Sequence, residues 1–171
     1  MKQLILGGAR SGKSHYAQQQ AQISGRPVIY IATATAGDGE MHQRILMHKQ
    51  QRPAHWTVIE EPLALSSTLL EHDRAGACLL VDCLTLWLSN QFAENEILIQ
   101  DVQEELVNTV ANLKSDVLLV SNEVGQGIVP ENKLARKFID ESGRLHQRLA
   151  QVCGDVAFLT AGIAQILKSE K

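Results

Sequence analysis

The chain has 171 residues, of which 44% are hydrophobic, and carries a formal net charge of -3 with a sequence pI near 6.1. This length suits one hydrophobic core and is short for two ordinary domains, so we expect a single globular domain over residues 1–171. The weak negative charge argues against a general affinity for nucleic acid or for an anionic membrane. No apolar run approaches the ~20 residues that a membrane-spanning helix needs.

The three cysteines, Cys78, Cys83 and Cys153, are odd in number and match no metal-ligand spacing. Because they sit in apolar segments, we expect reduced core residues in a cytoplasmic protein. A catalytic thiol is the alternative, although no cysteine has an evident activating neighbour. The N-terminus leads directly into a predicted strand, and we therefore expect no signal peptide.

The first predicted strand, Gln3–Leu6, is followed by a segment that matches the pattern G-x-x-x-x-G-K-[ST] at every specified position. That segment is Gly7, Gly8, Ala9, Arg10, Ser11, Gly12, Lys13 and Ser14. In such loops backbone N–H groups surround a phosphate, the lysine reaches the β- and γ-phosphates, and the hydroxyl binds Mg²⁺. A helix predicted from Lys13 to Ser24 adds its positive end to the same anion. The sequence therefore predicts a nucleoside triphosphate site, and a glycine-rich turn without a ligand is the alternative.

Apolar runs rich in Val, Ile and Leu recur along the chain, with helix-patterned segments between them. The runs are Gln3–Leu6, Val28–Ala32, Thr57–Glu60, Cys78–Asp82, Val117–Ser121 and Val156–Thr160. This alternation predicts an α/β fold, in which helices flank a mostly parallel sheet. Ligands of such sheets bind at the carboxyl ends of the strands, so the residues that follow each strand are candidate site residues.

The second strand ends in three small residues, Ala32, Thr33 and Ala34, before the loop 36–39. Small residues would let a nucleotide or another substrate approach the backbone. A simple turn explains the same composition equally well.

A basic segment, Glu40–Gln51, follows, and together with the next residue, Arg52, it places Arg44, His48 and Arg52 at steps of four residues. On a helix these three side chains would share one face, where an anion would offset their repulsion. Neighbouring cations disfavour a protonated imidazole and leave a ring nitrogen of His48 free to attack phosphorus. His48 is therefore a candidate nucleophile, and a solvated basic surface is the alternative.

Carboxylates end the third and fourth predicted strands. Glu60 and Glu61 could orient a ribose, bind Mg²⁺ or act as a base, or they could cap a helix predicted from Leu63 to His72. The run that ends in Asp82 has the form of a Walker B strand, which places a carboxylate near the Mg²⁺ shell of Ser14. Trp87, which follows it, fits packing or a subunit contact better than base stacking.

The C-terminal half is predicted to be mainly structural. It contains a long amphipathic helix predicted from Glu94 to Leu113 and another predicted from Asn132 to Val152. Between them the segment 122–127 follows a strand and contains two glycines, which suggests a functional loop. Asn132-Lys133 begins like the guanine-reading pattern N-K-x-D, but Ala135 occupies the fourth position. We therefore reject a GTPase-type base reader.

Taken together, the chain resembles the bifunctional adenosylcobinamide kinase/adenosylcobinamide-phosphate guanylyltransferases of cobalamin nucleotide-loop assembly. The resemblance covers essentially the whole chain, and the ordered set of motifs makes it specific. The motifs are GGARSGKS, IATA, EMHQRILMHKQQRP, the turn Glu60–Pro62, VDCLTLWLSN, SNEVGQGIVPEN-LAR-F and AGI.

The resemblance implies a RecA-like P-loop fold, assembly into a homo-oligomer and two reactions on one chain. ATP or GTP first phosphorylates the aminopropanol hydroxyl of adenosylcobinamide. GTP then gives its GMP group to that phosphate, which releases pyrophosphate and forms adenosylcobinamide-GDP. In the family the GMP group is carried on a histidine, and the motif places that role on His48. Some relatives have a second histidine just before this position, where this chain has Met47.

The same similarity implies which residues contact GTP, with Ser14 and Asp82 also serving Mg²⁺. These residues are Gly7, Gly8, Ala9, Arg10, Ser11, Gly12, Lys13, Ser14, Ala32, Thr33, Ala34, Lys49, Gln50, Gln51, Arg52, Glu60 and Asp82.

Two other function classes fit part of the sequence. An ordinary P-loop small-molecule kinase would use Lys13, Ser14 and Asp82 and would need no histidine nucleophile. A nucleotide-dependent switch is a different class, and the missing N-K-x-D pattern and the compact single domain count against it.

Overall fold

The fold is a seven-stranded sheet with helices on both faces, as seen in a computed structural model that describes residues 1–35 and 53–170. The strands are β1 (Lys2–Gly7), β2 (Val28–Ala32), β3 (Thr57–Glu60), β4 (Cys78–Asp82), β5 (Asp116–Asn122), β6 (Asp155–Thr160) and β7 (Ile163–Lys168). The helices are α1 (Lys13–Ile23), α2 (Leu65–Glu71), α3 (Leu84–Asn95), α4 (Ile99–Asn112) and α5 (Lys133–Val152). A 3₁₀ turn, Glu96–Leu98, joins α3 to α4.

The strand order is β3-β2-β4-β5-β1-β6-β7, and β1 to β6 all run parallel. Helix α1 packs on one face of the sheet through Ala17 and Ala21. Helices α2 to α5 pack on the other face, around Leu4, Leu79 and Leu119. Burial on both faces explains why the central strands read as continuous apolar runs instead of alternating patterns.

All six predicted strands are present, with bounds that differ by no more than one residue at either end. The seventh strand, β7, was not predicted. It is an antiparallel edge strand with mostly exposed side chains, so its sequence lacks a continuous apolar run. A two-residue turn with positive φ at Ala161 (52°) and Gly162 (79°) joins it to β6, which is the geometry of a tight hairpin.

The prediction of one helix from Glu94 to Leu113 is wrong at its start. Helix α3 ends at Asn95, whose side chain accepts the N–H of Ile97 and opens the 3₁₀ turn before α4. An asparagine in this position favours a local cap over a continued helix. The last long helix begins one residue later than expected, because the Asn132 side chain caps it by accepting the N–H of Ala135 at 3.0 Å.

The cysteines are free and buried, as predicted for reduced core residues. Burial raises the pKa of the Cys78 and Cys83 thiols to about 11 and that of Cys153 to about 12. A thiol with such a pKa stays protonated at neutral pH, which disfavours the alternative of a catalytic thiol. Within residues 1–35 and 53–170 no helix is long and apolar enough to cross a bilayer.

Trp87 lies in the core, as the packing interpretation requires. It is 1% exposed, and its Nε1 donates to the carbonyl of Leu63 at 2.9 Å. The Gln91 side chain donates to the same carbonyl at 2.7 Å. The indole therefore anchors α3 to the segment that precedes α2.

Replacing Trp87 separates its packing from its hydrogen bond. We expect Trp87→Ala to lower the free energy of unfolding by about 3–5 kcal/mol, because it opens a large cavity. Trp87→Phe should cost about 1 kcal/mol, since Gln91 still serves the Leu63 carbonyl. Urea denaturation measures both. Leu70→Ala, at a side chain that is 56% exposed, is the control, and a Trp87→Ala variant as stable as that control would contradict the core assignment.

Candidate nucleotide-binding site

The phosphate-binding loop connects β1 to α1 and has little space at its two outer glycines. A Cβ atom on Gly7 would lie 2.4 Å from the Leu159 carbonyl oxygen and 2.7 Å from the Ser11 hydroxyl. Gly12 has a φ of 96°, and a Cβ there would lie 3.1 Å from Cα of Gly162. The glycines therefore allow the loop to pack directly on the end of β6 and on the turn that follows.

The β6–β7 turn also holds the loop by a hydrogen bond. The N–H of Gly162 donates to the Ser11 carbonyl at 2.9 Å. Ala161, Gly162 and Ile163 belong to the motifs that carry the family resemblance, which implies no role for them. The signal that could have found the turn is Gly162 shortly after a predicted strand, because glycine readily adopts the positive φ of a hairpin turn.

Lys13 is 7% exposed and lies back over the loop, where its Nζ donates to the Gly8 carbonyl at 2.6 Å and approaches the Ser11 hydroxyl at 3.4 Å. Burial lowers the pKa of this amine, while the nearby Cys83 and Asp82 oppose the shift. The buried cation is thus placed on the inner side of the loop. Phosphate oxygens are better partners for an ammonium group than a carbonyl, so this position suits an anionic ligand.

The N-terminus of α1 adds a second source of positive potential. Gly12 is its N-cap and supplies no side-chain hydrogen bond, and the first turn contains no acidic residue. The first N–H groups of a helix have no partner within it, and they favour a negative charge. Together with Lys13, they make the predicted phosphate position electropositive.

Asp82 ends β4, and β5 alone separates β4 from the strand that leads into the loop. The hydroxyl of Tyr30 on β2 donates to Asp82 Oδ2 at 2.7 Å and so fixes the carboxylate. Tyr30 was not predicted as a site residue, because an aromatic residue inside a strand is typical of the core. Its hydroxyl reaches Asp82 only because β2 and β4 are neighbours in the sheet.

Thr33, predicted as a nucleotide contact, is fully buried. Its Oγ1 donates to the Cys83 carbonyl at 2.6 Å and accepts the Cys83 N–H at 2.9 Å. Its own carbonyl accepts from the Asn90 side chain at 2.9 Å. Thr33 therefore supports the backbone that follows Asp82, and a contact with nucleotide stays a prediction.

The structure distinguishes the two glutamates that follow β3. Glu61 Oε1 accepts the N–H groups of Leu63 and Ala64, both at 2.8 Å, and so fixes the turn that precedes α2. The helix begins at Leu65 instead of Leu63, and no side chain caps it at Ala64, so the interpretation of Glu61 as a helix cap is wrong. Glu60 is paired in register with Ala32, which is paired with Asp82 across the other side of β2. These three residues thus form a row along the carboxyl edge of the sheet.

Part of the predicted site lies outside the described residues. It comprises Arg44, His48, Lys49, Gln50, Gln51 and Arg52. The structure brings the other predicted residues to one edge of the sheet, where the loop, Ala32, Ala34, Glu60 and Asp82 follow the carboxyl ends of β1 to β4.

A polar cluster at the end of β5 was not identified from the sequence. His146 Nε2 lies 2.7 Å from the Ser121 hydroxyl, which lies 3.2 Å from the hydroxyl of Thr85. Thr85 accepts the N–H of Asn122 at 2.7 Å. Burial lowers the pKa of His146, and the Glu123 carboxylate opposes the shift. The sequence signal that could have indicated the cluster is a polar residue at two core-facing positions, Ser121 on β5 and His146 on α5.

The donor set fits Mg²⁺ held jointly with a nucleotide. Within the described ranges, no group of three or more His, Cys, Asp or Glu residues could hold a metal ion on its own. Mg²⁺ at phosphate-transfer sites usually takes one or two protein oxygens and completes its shell with water and phosphate oxygens. Ser14 in the first turn of α1 and the Tyr30-oriented Asp82 can supply such oxygens.

A separate cavity of about 630 Å³ lies between α3 and α5 and is lined mainly by apolar side chains, among them Phe92, Val124 and Phe138. None of its lining residues is titratable. It therefore offers no charge to a phosphate group and is distinct from the phosphate-binding loop.

The two adjacent glycines of the loop give a matched test of the packing argument. We expect Gly7→Ala to lower the free energy of unfolding by about 1–3 kcal/mol, because its Cβ would overlap the Leu159 carbonyl. Gly8→Ala should change stability by less than about 0.5 kcal/mol, since nothing lies within 4 Å of a Cβ there. Thermal unfolding without nucleotide measures both, and equal stabilities would contradict the close packing of the loop on β6.

Comparison with known proteins identifies relatives along nearly the whole chain. Residues 3–167 match the family described as cobinamide kinase / cobinamide phosphate guanyltransferase. The bifunctional adenosylcobalamin biosynthesis protein CobP of Pseudomonas aeruginosa is 51% identical over 171 residues, which are 99% of both chains. The corresponding CobU protein of Salmonella typhimurium is 38% identical, over 96% of this chain and 98% of its own.

Solved structures show the fold. A protein of Pyrococcus horikoshii aligns with a TM-score of 0.61 at 13% identity, over 99% of this chain and 87% of its own. The RadB recombinase aligns with a TM-score of 0.54 at 14% identity, over 92% of this chain and 73% of its own. These likenesses confirm the predicted P-loop, RecA-like α/β fold.

Proposed function

The chain belongs to the cobinamide kinase / cobinamide phosphate guanyltransferase family, and we propose that it phosphorylates adenosylcobinamide and then transfers GMP to the product. It is thus a bifunctional enzyme of cobalamin biosynthesis. The observation that carries the proposal is a formed phosphate-binding loop with Lys13 folded over it, in a chain that matches this family over residues 3–167. The alternative of a P-loop kinase without guanylyl transfer gains no support from these relatives.

In the kinase reaction the hydroxyl oxygen of cobinamide attacks the γ-phosphorus of ATP or GTP, and the diphosphate leaves. The N–H groups of the loop and of the first turn of α1 hold the phosphate oxygens, and Lys13 balances the charge that develops on them. Bound Mg²⁺ would neutralise charge on the β- and γ-phosphates. Ser14 and Asp82 are the residues that would hold it, supported by the hydrogen bond from Tyr30 to Asp82.

In the transferase reaction a ring nitrogen of His48 attacks the α-phosphorus of GTP and pyrophosphate leaves. A phosphate oxygen of cobinamide phosphate then attacks the same phosphorus, which forms adenosylcobinamide-GDP and restores the histidine. Two displacements replace one difficult displacement, which is the general benefit of a covalent intermediate. The role of His48 is supported by its position in the sequence motif, between Arg44 and Arg52.

The assembly and location of the enzyme are further parts of the proposal. Ile128 and Val129, in the segment after β5, are 98% and 73% exposed, and Leu134 nearby is 54% exposed. Exposed apolar side chains grouped in this way favour a protein contact, which supports a homo-oligomer.

The three free buried cysteines support a reducing, cytoplasmic location.

Labelling with GTP that carries ³²P at its α-phosphate tests the covalent step. We expect label that stays on the denatured protein, is released by acid but not by alkali, and disappears in His48→Ala. His42→Ala and His55→Ala are the matched controls and should retain the label. A folded wild-type protein that takes up no label would exclude the histidine intermediate and leave only a kinase.

Replacing Lys13 tests whether both reactions use the same loop. We expect Lys13→Ala to lower kinase and guanylyl-transfer rates each by about 10²–10³, because a preorganised charge on the phosphates is lost. Lys133→Ala, at an exposed position in the first turn of α5, is the control. Guanylyl transfer at the wild-type rate in Lys13→Ala would show that the two reactions use separate triphosphate sites.

A further inference from the structure

Glu123 is the first residue after β5, the strand that lies between β1 and β4. Its backbone N–H donates to the carbonyl of Gly7 at 3.0 Å, so it directly adjoins the start of the phosphate-binding loop. The next strand on its other side ends in Asp82. Glu123 therefore occupies the carboxyl edge of the sheet between the phosphate-binding loop and the carboxylate assigned to Mg²⁺.

The carboxylate of Glu123 is oriented but remains accessible, since its side chain is 22% exposed. Oε1 accepts the N–H of Gly125 at 2.6 Å, which fixes one end of the group. Oε2 faces the ring of His146 on α5, with a distance of 3.6 Å to Nδ1. Among the residues that the structure describes, this imidazole is the basic side chain within 4 Å of the carboxylate.

His146 is 6% exposed, and its Nε2 is engaged with the Ser121 hydroxyl. Its Nδ1 is buried and has no hydrogen-bond partner among the described residues. An unsatisfied buried polar atom costs about 1–3 kcal/mol, and such an atom in a native protein calls for an explanation. Here it faces Oε2 at a distance just beyond a hydrogen bond. An unprotonated Nδ1 only accepts, so a proton on Oε2 and a small movement of Glu123 would join the two groups.

We propose that Glu123 is the general base of the kinase reaction and that His146 is its positioning residue. This inference rests on the proposed function. As the cobinamide hydroxyl oxygen bonds to the γ-phosphorus, its O–H bond breaks and the proton moves to Glu123 Oε2. The bond between the γ-phosphorus and the bridging oxygen breaks, and its electron pair leaves with the diphosphate. The O–H of the protonated Glu123 then donates to His146 Nδ1, and this nitrogen thereby gains the hydrogen-bond partner that it lacks.

Other carboxylates at this edge are less suited to the role. Glu61 is used to fix the turn before α2, and Asp82 accepts from Tyr30 beside the proposed Mg²⁺ position. Glu60 ends β3, and three strands separate β3 from β1. Glu123 combines contact with the first loop residue, partial exposure and a neighbouring group that can receive a proton.

The two reactions differ in their need for this base. The kinase reaction removes a proton from an alcohol, whose pKa is far above neutral. The guanylyl transfer uses an imidazole nitrogen and then an ionised phosphate oxygen, and neither nucleophile has to lose a proton. Loss of the base should therefore affect the kinase reaction selectively.

The experiment measures the two reactions separately in the full-length enzyme. Cobinamide with ATP reports the kinase reaction, and cobinamide phosphate supplied directly with GTP reports guanylyl transfer. Glu123→Gln is the test variant, because the amide oxygen can still accept from Gly125 while the base is lost. Glu131→Gln, an exposed glutamate eight residues further along, is the matched control.

We expect Glu123→Gln to lower the kinase kcat by about 10²–10⁴, with guanylyl transfer and the KM for ATP within about threefold of wild type. Near-wild-type guanylyl transfer also shows that the variant is folded. Kinase kcat unchanged in Glu123→Gln, or both reactions lowered equally, would overturn the proposal. A wild-type enzyme without kinase activity would instead overturn the proposed function.

A double-mutant cycle tests the part played by His146. If His146 acts through Glu123, His146→Gln should lower the kinase kcat several-fold without changing the KM for ATP. The double variant with Glu123→Gln should then be no slower than Glu123→Gln alone. Fully additive losses would overturn the assignment of His146 as a positioning residue.

Discussion

The close approach of the phosphate-binding loop to the β6–β7 turn is the constraint on which the rest of the site depends. Loops of this sequence pattern bind phosphate with their backbone, and such binding requires that neighbouring backbone fix the path of the loop. The Leu159 carbonyl lies against Gly7, and the N–H of Gly162 bonds the Ser11 carbonyl. Side chains at Gly7 and Gly12 would push the loop away from the end of β6 and the turn after it, and with it the N-terminus of α1 and Lys13.

The strand order then decides which residues surround the predicted phosphate position. Because β5 lies between β1 and β4, the end of β5 meets the loop on one side and Asp82 on the other. Strand β2 contributes Tyr30 to the carboxylate of Asp82 and Thr33 to the peptide that follows it. Residues that are far apart in the chain thus form a supported row along one edge, which is where parallel sheets bind their ligands.

In the proposed mechanism the two reactions of the family use different residues beside the same loop. Both reactions of this mechanism use a triphosphate held by the loop. They differ in the phosphorus atom attacked and in whether the nucleophile must lose a proton. The motif residue His48 suits the first displacement at the α-phosphorus, and Glu123 beside Gly7 suits the alcohol that attacks the γ-phosphorus. The cluster of Ser121, Thr85 and His146 connects Glu123 to the core, because His146 lies 3.6 Å from the Glu123 carboxylate.

The sequence alone determined the fold class, six of the seven strands and the phosphate-binding loop, because these depend on local patterns. Continuous apolar runs mark strands buried on both faces, and the loop pattern specifies a backbone shape that only particular residues permit. The tertiary structure decided the edge strand β7, whose exposed residues carry no apolar pattern, and the break before Ile99, where a side-chain cap competes with the helix.

The tertiary structure also decided which polar side chains meet. Tyr30 and His146 are typical core residues by their sequence positions. Tyr30 contacts Asp82 because β2 and β4 are neighbours, and His146 contacts Ser121 because α5 packs on the sheet. Such contacts depend on strand order and register, which local sequence patterns do not encode.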